Sequence, residues 1–166
     1  MKQISLTNNF SVSPIIHGQM RINDWRLSSD ELLAQMKQLC EWGIDTFDNA
    51  DIYGNHTCEG LVGDALALDP SFRNSIKIIT KCGICIQSNK FPDRQIQFYD
   101  YSYDYIVGQV EKSLQNLRTD RIDLLLLHRP SYLLNPTEVA RAFDHLHQSG
   151  KVLHFGVSNF YSHDFS

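Results

Sequence analysis

No stretch of this chain approaches the roughly 18 consecutive apolar residues of a membrane-spanning helix. The opening residues, MKQISLTNNF, hold no apolar segment of the kind a secretory signal carries. Positive charge is also scarce: 15 Lys and Arg stand against 19 Asp and Glu, for a net charge of −4, and nothing basic is clustered. That excludes the electrostatic footprint of a nucleic-acid binder or of a protein drawn to an anionic membrane. There are only four cysteines: Cys40, Cys58, Cys82 and Cys85. Cys82 and Cys85 form a lone CxxC, and a zinc site needs a second ligand pair that is not evident. Ordinary reduced thiols are expected, with a redox pair or a metal site as the lesser readings. Charge blocks and low-complexity segments are missing too. What remains is ordinary globular composition: 166 residues, 42% hydrophobic and 20% charged, enough for one domain with a real core. The expected compartment is the cytoplasm.

Periodicity predicts an alternation of strands and helices. Ile4 to Val12 reads as a hairpin turning at Thr7-Asn8-Asn9, and Pro14 to Met20 as a first buried strand. In SSDELLAQMKQLCEWG, Ser28 and Glu31 have capping-box spacing. Leu32, Leu33, Met36, Leu39 and Cys40 recur at helical intervals, and Gly43 ends the helix. Thr46 to Asp48 is the second strand, Glu59 to Leu68 the second helix and Ile76 to Lys81 the third strand. A long loop follows from Gly83 to about Asp100, and then a helix from about Tyr103 to Arg118. The unbroken apolar run IDLLLLH, Ile122 to His128, fits a parallel strand covered on both faces. NPTE opens the fourth helix, with Asn135 as cap and Glu138 three residues on. Lys151 to Ser158 is the fifth strand.

Such alternation predicts a parallel α/β fold. A doubly wound nucleotide-binding fold carries GxGxxG after its first strand, and IIHGQMRIND lacks it. A (β/α)8 barrel gathers its chemistry at the C-terminal ends of its strands. Asp48, Lys81, His128 and Ser158-Asn159 all fall there. Singly, each has a plain alternative. Asp48 caps a turn, Tyr53 is a surface aromatic, Lys81 is a solvated charge, or His128 is a core histidine bound to backbone. Converging in one barrel mouth, they form a device for reducing a carbonyl. A phenol supplies a proton, but its ordinary pKa is about 10. A neighbouring ammonium favours the phenolate, a carboxylate fixes the ammonium, and an imidazole orients the carbonyl. No side chain donates hydride, so a nicotinamide cofactor is implied.

The blocks GIDTFDNADIYG (Gly43 to Gly54) with Glu59 and Gly63, ITKCG (Ile79 to Gly83), SLQNLRTDRIDLLLLHRP (Ser113 to Pro130) and SGKVLHFGVSNF (Ser149 to Phe160) carry a resemblance. The sequence resembles the aldo-keto reductase superfamily, and within it bacterial oxidoreductases of unassigned substrate, from about Pro14 onward. The resemblance implies Tyr53, Asp48, Lys81 and His128 as catalytic residues. It implies that Ser158 and Asn159 hold the nicotinamide carboxamide, and that the Gln19-Met20 backbone lies near the cofactor. NADPH is implied ahead of NADH, with a small carbonyl compound as substrate. Trp25 and Arg129 are candidates for the substrate pocket, against loop packing for the first and a structural ion pair for the second. Small departures are Asn49, Arg118 and Ser131, and none removes a catalytic group.

A (β/α)8 barrel usually takes about 250 residues. HDFS, at 163–166, falls where a fifth barrel helix opens. The expected architecture is therefore one partial barrel domain over 1–166, truncated after about strand five, with an N-terminal hairpin. Open strand edges invite self-association. Weak or absent turnover of the chain alone is the matching functional expectation. Two other readings stand beside the reductase. One is a non-catalytic binding or regulatory module on the same fold, and the other a metal protein using Cys82, Cys85 and a nearby His.

Overall fold

The computed structural model describes residues 1–161. The expected opening of a fifth barrel helix at 163–166 lies outside them. The chain starts with an antiparallel hairpin, β1 (Ile4–Thr7) and β2 (Phe10–Val12), turning at Asn8 and Asn9. Next come β3 (His17–Gly18), the short α1 (Ile22–Trp25) and α2 (Ser29–Glu41). Then follow β4 (Thr46–Asp48), the single turn α3 (Tyr53–His56), α4 (Cys58–Leu68) and a 3₁₀ turn over Pro70–Ser75. After β5 (Lys77–Cys82) lie the two-residue strands β6 (Ile84–Cys85) and β7 (Phe98–Tyr99). The remaining elements are α5 (Tyr103–Leu117), β8 (Ile122–Leu127), α6 (Pro136–Gln148) and β9 (Val152–Val157). Five strands form one all-parallel sheet in the order β3-β4-β5-β8-β9. No helix among the described residues is long and apolar enough to cross a membrane.

Local sequence explains most boundaries. Ser28 Oγ accepts from the Glu31 N–H while the Glu31 carboxylate accepts from the Ser28 N–H, so the expected capping box closes. α2 ends where Gly43 takes a left-handed φ of 82°. Asn135 Oδ1 accepts from the Thr137 N–H and starts α6. Glu138 does not close a second box. Its carboxylate accepts from the Tyr103 N–H at 3.2 Å, because the first turn of α5 has orphan donors of its own.

Two expectations need correcting. The strand predicted over Pro14–Met20 shrinks to His17 and Gly18, and it is not buried, for Ile15 and Ile16 are exposed. Among the described residues β3 lies at the sheet edge with β4 as its one partner, and Pro14 has no N–H to give a ladder. The loop from Gly83 to Asp100 is not wholly irregular, since β6 and β7 pair as a small antiparallel ribbon.

Alternation along the strands sorts the core into two layers. On the outer face, Phe47 and Ile78 pack with α2 and α4, while Leu125, Leu127 and Val152 pack with α5 and α6. On the inner face, Ile79, Leu124 and Leu126 meet Phe10 and Val12 of the hairpin, which closes the N-terminal end of that face. Phe10 also stacks on His154 at 4.3 Å. Below the sheet, Arg73 bonds Asp123 at 2.7 Å and the Ile76 and Arg121 carbonyls, while Asp123 accepts from the Ile78 N–H. This buried pair ties the start of β5 to the start of β8.

α4 and α5 touch at Gly63, where an added Cβ would lie 1.9 Å from the Asn116 carbonyl oxygen. Backbone cannot give way there as a flexible side chain would. Gly63→Ala should therefore destabilise the fold by about 2–3 kcal/mol or more, read as a lower urea midpoint. An unchanged midpoint would refute the close approach.

Candidate active site

The parity that builds the inner face also places the polar groups. Thr46 and Asp48, Ile79 and Lys81, and Leu124, Leu126 and His128 are two-residue steps on the same side of adjacent strands. Asp48 ends β4, Lys81 lies in β5 and His128 follows β8. Tyr53 arrives by a different route. After Asp48 the chain turns so that the Asn49 and Asp51 N–H groups donate to the Ile79 and Lys81 carbonyls. Tyr53 then opens α3, and Gly54, Asn55 and His56 all take left-handed φ values. Gly54 is needed at its own position, since a Cβ would sit 2.5 Å from Cys58 Sγ.

These four side chains meet. Lys81 is buried, and its Nζ lies 2.7 Å from both Asp48 carboxylate oxygens, 2.9 Å from Tyr53 Oη and 2.9 Å from the Asn49 carbonyl. The Tyr53 hydroxyl is 3.5 Å from Asp48, a long contact that leaves its proton weakly held. The His128 ring stands edge-on to Tyr53 with centroids 6.0 Å apart. His128 is buried and its Nδ1 has no hydrogen-bond partner among the described residues. Burial first, then the Lys81 and Arg129 charges, pull its pKa down to about 4.

The other predicted residues are placed as follows. Ser158 directly follows β9, with its N–H donating to the Leu127 carbonyl. Asn159, at φ 63°, donates from its amide to the His128 carbonyl and to Ser158 Oγ, so the pair sits beside the histidine. Gln19 is fully buried and its N–H binds the Asp48 carbonyl, while its side-chain oxygen has no partner among the described residues. Met20 is exposed. Arg129 lines an open cavity of about 390 Å³ with Tyr99, Pro130, Asn159, Phe160 and Tyr161. Trp25 makes its ring contact with His17, 5.9 Å away at the sheet edge, and joins none of the four central side chains by a ring contact or hydrogen bond.

Sequence reasoning passed over two things. Asn49 supplies the carbonyl that completes the Lys81 shell, a backbone role that residue type does not announce. Asp51, in the same motif, is buried and lines a separate cavity. Cys40, Cys58, Cys82 and Cys85 are all free thiols. Burial raises the Cys58, Cys82 and Cys85 pKa values and is the main cause of raising Cys40 to about 11.

The sheet and its strand-end cluster belong with known proteins. Residues 14–165 match the model of the aldo/keto reductase family. The chain is 48% identical over 165 residues to "Uncharacterized oxidoreductase YcsN" of Bacillus subtilis (strain 168), covering 99% of this chain and 55% of that protein. It is 40% identical over 167 residues to a 6-dehydroglucose reductase of Agrobacterium fabrum, covering 100% and 56%. Among solved structures, the holo form of aldo-keto reductase AKR11C1 from Bacillus halodurans superposes with a TM-score of 0.79 at 30% identity, covering 96% of this chain and 51% of that one. The chain therefore belongs to the aldo/keto reductase family, a family of oxidoreductases on the (β/α)8 barrel. It spans about half the length of the curated relatives it matches.

The His128 value gives a pH expectation. A free histidine titrates near 6.5, and the folded value lies below that at about 4. Stability from the neutral ring is thus complete above about pH 6.5 and is lost as pH falls through about 4. Titration of the ring carbon shifts by NMR should give a midpoint near 4. A midpoint near 6.5 would mean that the ring is solvated and not part of a dry cluster.

Proposed function

We propose that this chain carries the proton-transfer half of a carbonyl reductase, acting on aldehydes or ketones with a reduced nicotinamide dinucleotide, NADPH ahead of NADH. One observation carries the reading. A single buried ammonium, Lys81, binds the Asp48 carboxylate and the Tyr53 phenol at once, with His128 edge-on to the same phenol.

The donor set fits a nicotinamide. Ser158 and Asn159 bring a hydroxyl and an amide to the strand end beside His128, and those groups match the two faces of a carboxamide. They would hold it there, with the Gln19-Met20 backbone along its flank. When bound, the cofactor supplies the hydride that no side chain can give. The chain's own residues do the rest. Tyr53 gives its proton to the carbonyl oxygen, which becomes the alcohol hydroxyl. The electron pair left on the phenol oxygen faces the Lys81 ammonium at 2.9 Å, so the developing charge meets a fixed cation in a buried setting. Asp48 keeps that ammonium in place and Asn49 takes its third proton. His128, uncharged at neutral pH, donates to the same carbonyl oxygen from the other side without competing as an acid. Arg129 lines the neighbouring cavity, where the rest of the substrate would lie.

β3 and β9 each have a sheet neighbour on one side only among the described residues, so the mouth of the site is open. Reduction by this chain alone is accordingly slow, and self-association along those edges is the partner expectation. The experiment is a pair of measurements on the purified chain. NADPH fluorescence titration, with mass by light scattering, reads binding and assembly. Reduction of a simple aldehyde panel then compares Tyr53→Phe with the parent. The expected result is a rate loss of about a hundred-fold or more, with cofactor affinity kept within two-fold. Equal rates would overturn the role of Tyr53.

A further inference from the structure

A second cavity, of about 360 Å³, lies away from the tetrad, between the turn that carries Asp51 and His56, the Lys90-Phe91 loop and the helix α5. Its floor is unusual. Asp51 is 2% exposed, yet neither carboxyl oxygen has a hydrogen-bond partner among the described residues. The adjacent Ile52 N–H pulls on the carboxyl without reaching hydrogen-bond geometry. Buried polar groups are ordinarily satisfied, and one that is not calls for an explanation.

His56 is the second such group. Its Nδ1 lies 2.8 Å from the Asp51 carbonyl oxygen, which can only accept, so Nδ1 carries the proton. In the neutral ring Nε2 is then an acceptor, and it too is buried without a partner. The residue is held at φ 69°, a left-handed conformation that costs a non-glycine residue energy and points its ring here.

The rim is cationic. Lys90 Nζ lies 3.5 Å from the His56 carbonyl, Lys112 Nζ 5.9 Å from the Phe91 ring centre, and the Arg94 guanidinium 3.9 Å from the same ring. None of the three forms an ion pair among the described residues, whereas Lys37, Lys77, Lys81 and Lys151 all do.

We infer that this cavity is a binding site for a small hydroxylated anion, its phosphate or carboxylate between Lys90 and Lys112 and a hydroxyl against Asp51 and His56. A hydroxyl suits that floor because it donates to Nε2 and accepts from a carboxyl O–H in one contact. Burial, and then the nearby Glu59, push the Asp51 carboxyl well above the usual range, which favours its protonated form and lessens its repulsion of an anion. The unpaired ammoniums supply attraction that salt screens.

Isothermal titration of the full chain at low salt tests this with glycerol 3-phosphate and glycerate, against inorganic phosphate and glycerol. The expected result is saturable binding of one of the two hydroxylated anions, at least five-fold tighter than inorganic phosphate, with no binding of glycerol. Which of the two binds tells phosphate from carboxylate. The exposed rim substitution Lys112→Gln should weaken it at least five-fold while the thermal midpoint is unchanged. His56 ring resonances should shift at saturation. No binding of either anion, equal affinity for inorganic phosphate, or full binding to Lys112→Gln would each overturn the proposal.

Discussion

A buried ammonium is the constraint on which the rest of this structure depends. Removing Lys81 from water costs several kcal/mol unless its three protons are met. They are met by Asp48, the Asn49 carbonyl and Tyr53. This demands a register. Asp48 pairs with Ile79 across the ladder, so Lys81 projects two residues beyond the end of β4 and its chain can reach back. It also demands the turn that follows, for Tyr53 reaches the lysine only because the backbone folds over the end of β5.

The sheet divides labour along its length. At the N-terminal end, Arg73 with Asp123 and the hairpin residues Phe10 and Val12 hold strands together without contributing to the tetrad. At the C-terminal end, polar groups replace the inner-face aliphatics. Such a division is the general habit of barrels, stability below and chemistry above. On the outer side Glu59, buried in the first turn of α4, accepts from Thr80 at 2.7 Å and Asn116 at 3.3 Å. Thr80 is the outward-facing neighbour of Lys81 in sequence, so the Glu59 carboxyl and the Lys81 ammonium lie on opposite faces of one strand.

Much of this could be read in the residues because local rules agreed with the global fold. The α2 capping box, the apolar run of β8 and the two-residue steps to Asp48, Lys81 and His128 are all local patterns. What escaped was set by partners far along the chain. β3 lost length because an edge strand has a single neighbour. Glu138 reaches the first turn of another helix instead of closing its own cap, while keeping Arg141 as a partner on α6. Phe91 in the long loop met the ring of His56 at 5.0 Å, a contact no periodicity announces. The cavity above Asp51 needs the turn, the loop and α5 together, and each alone reads as an ordinary solvated segment.

The hairpin at the chain's start has a consequence for the order in which the molecule assembles. Its apolar side finds its partners in Ile79, Leu124 and His154, and the last of these lies near the far end of the sheet. The hairpin is therefore made before most of the strands that seat it. Until β8 and β9 exist, Phe10 and Val12 have only Ile79 of that cluster to pack against. Contacts so distant in sequence slow the search for the native state. The helices and neighbouring strands in between can settle pair by pair, but the hairpin closes the fold only when the sheet is laid down, like a stopper cut before the bottle.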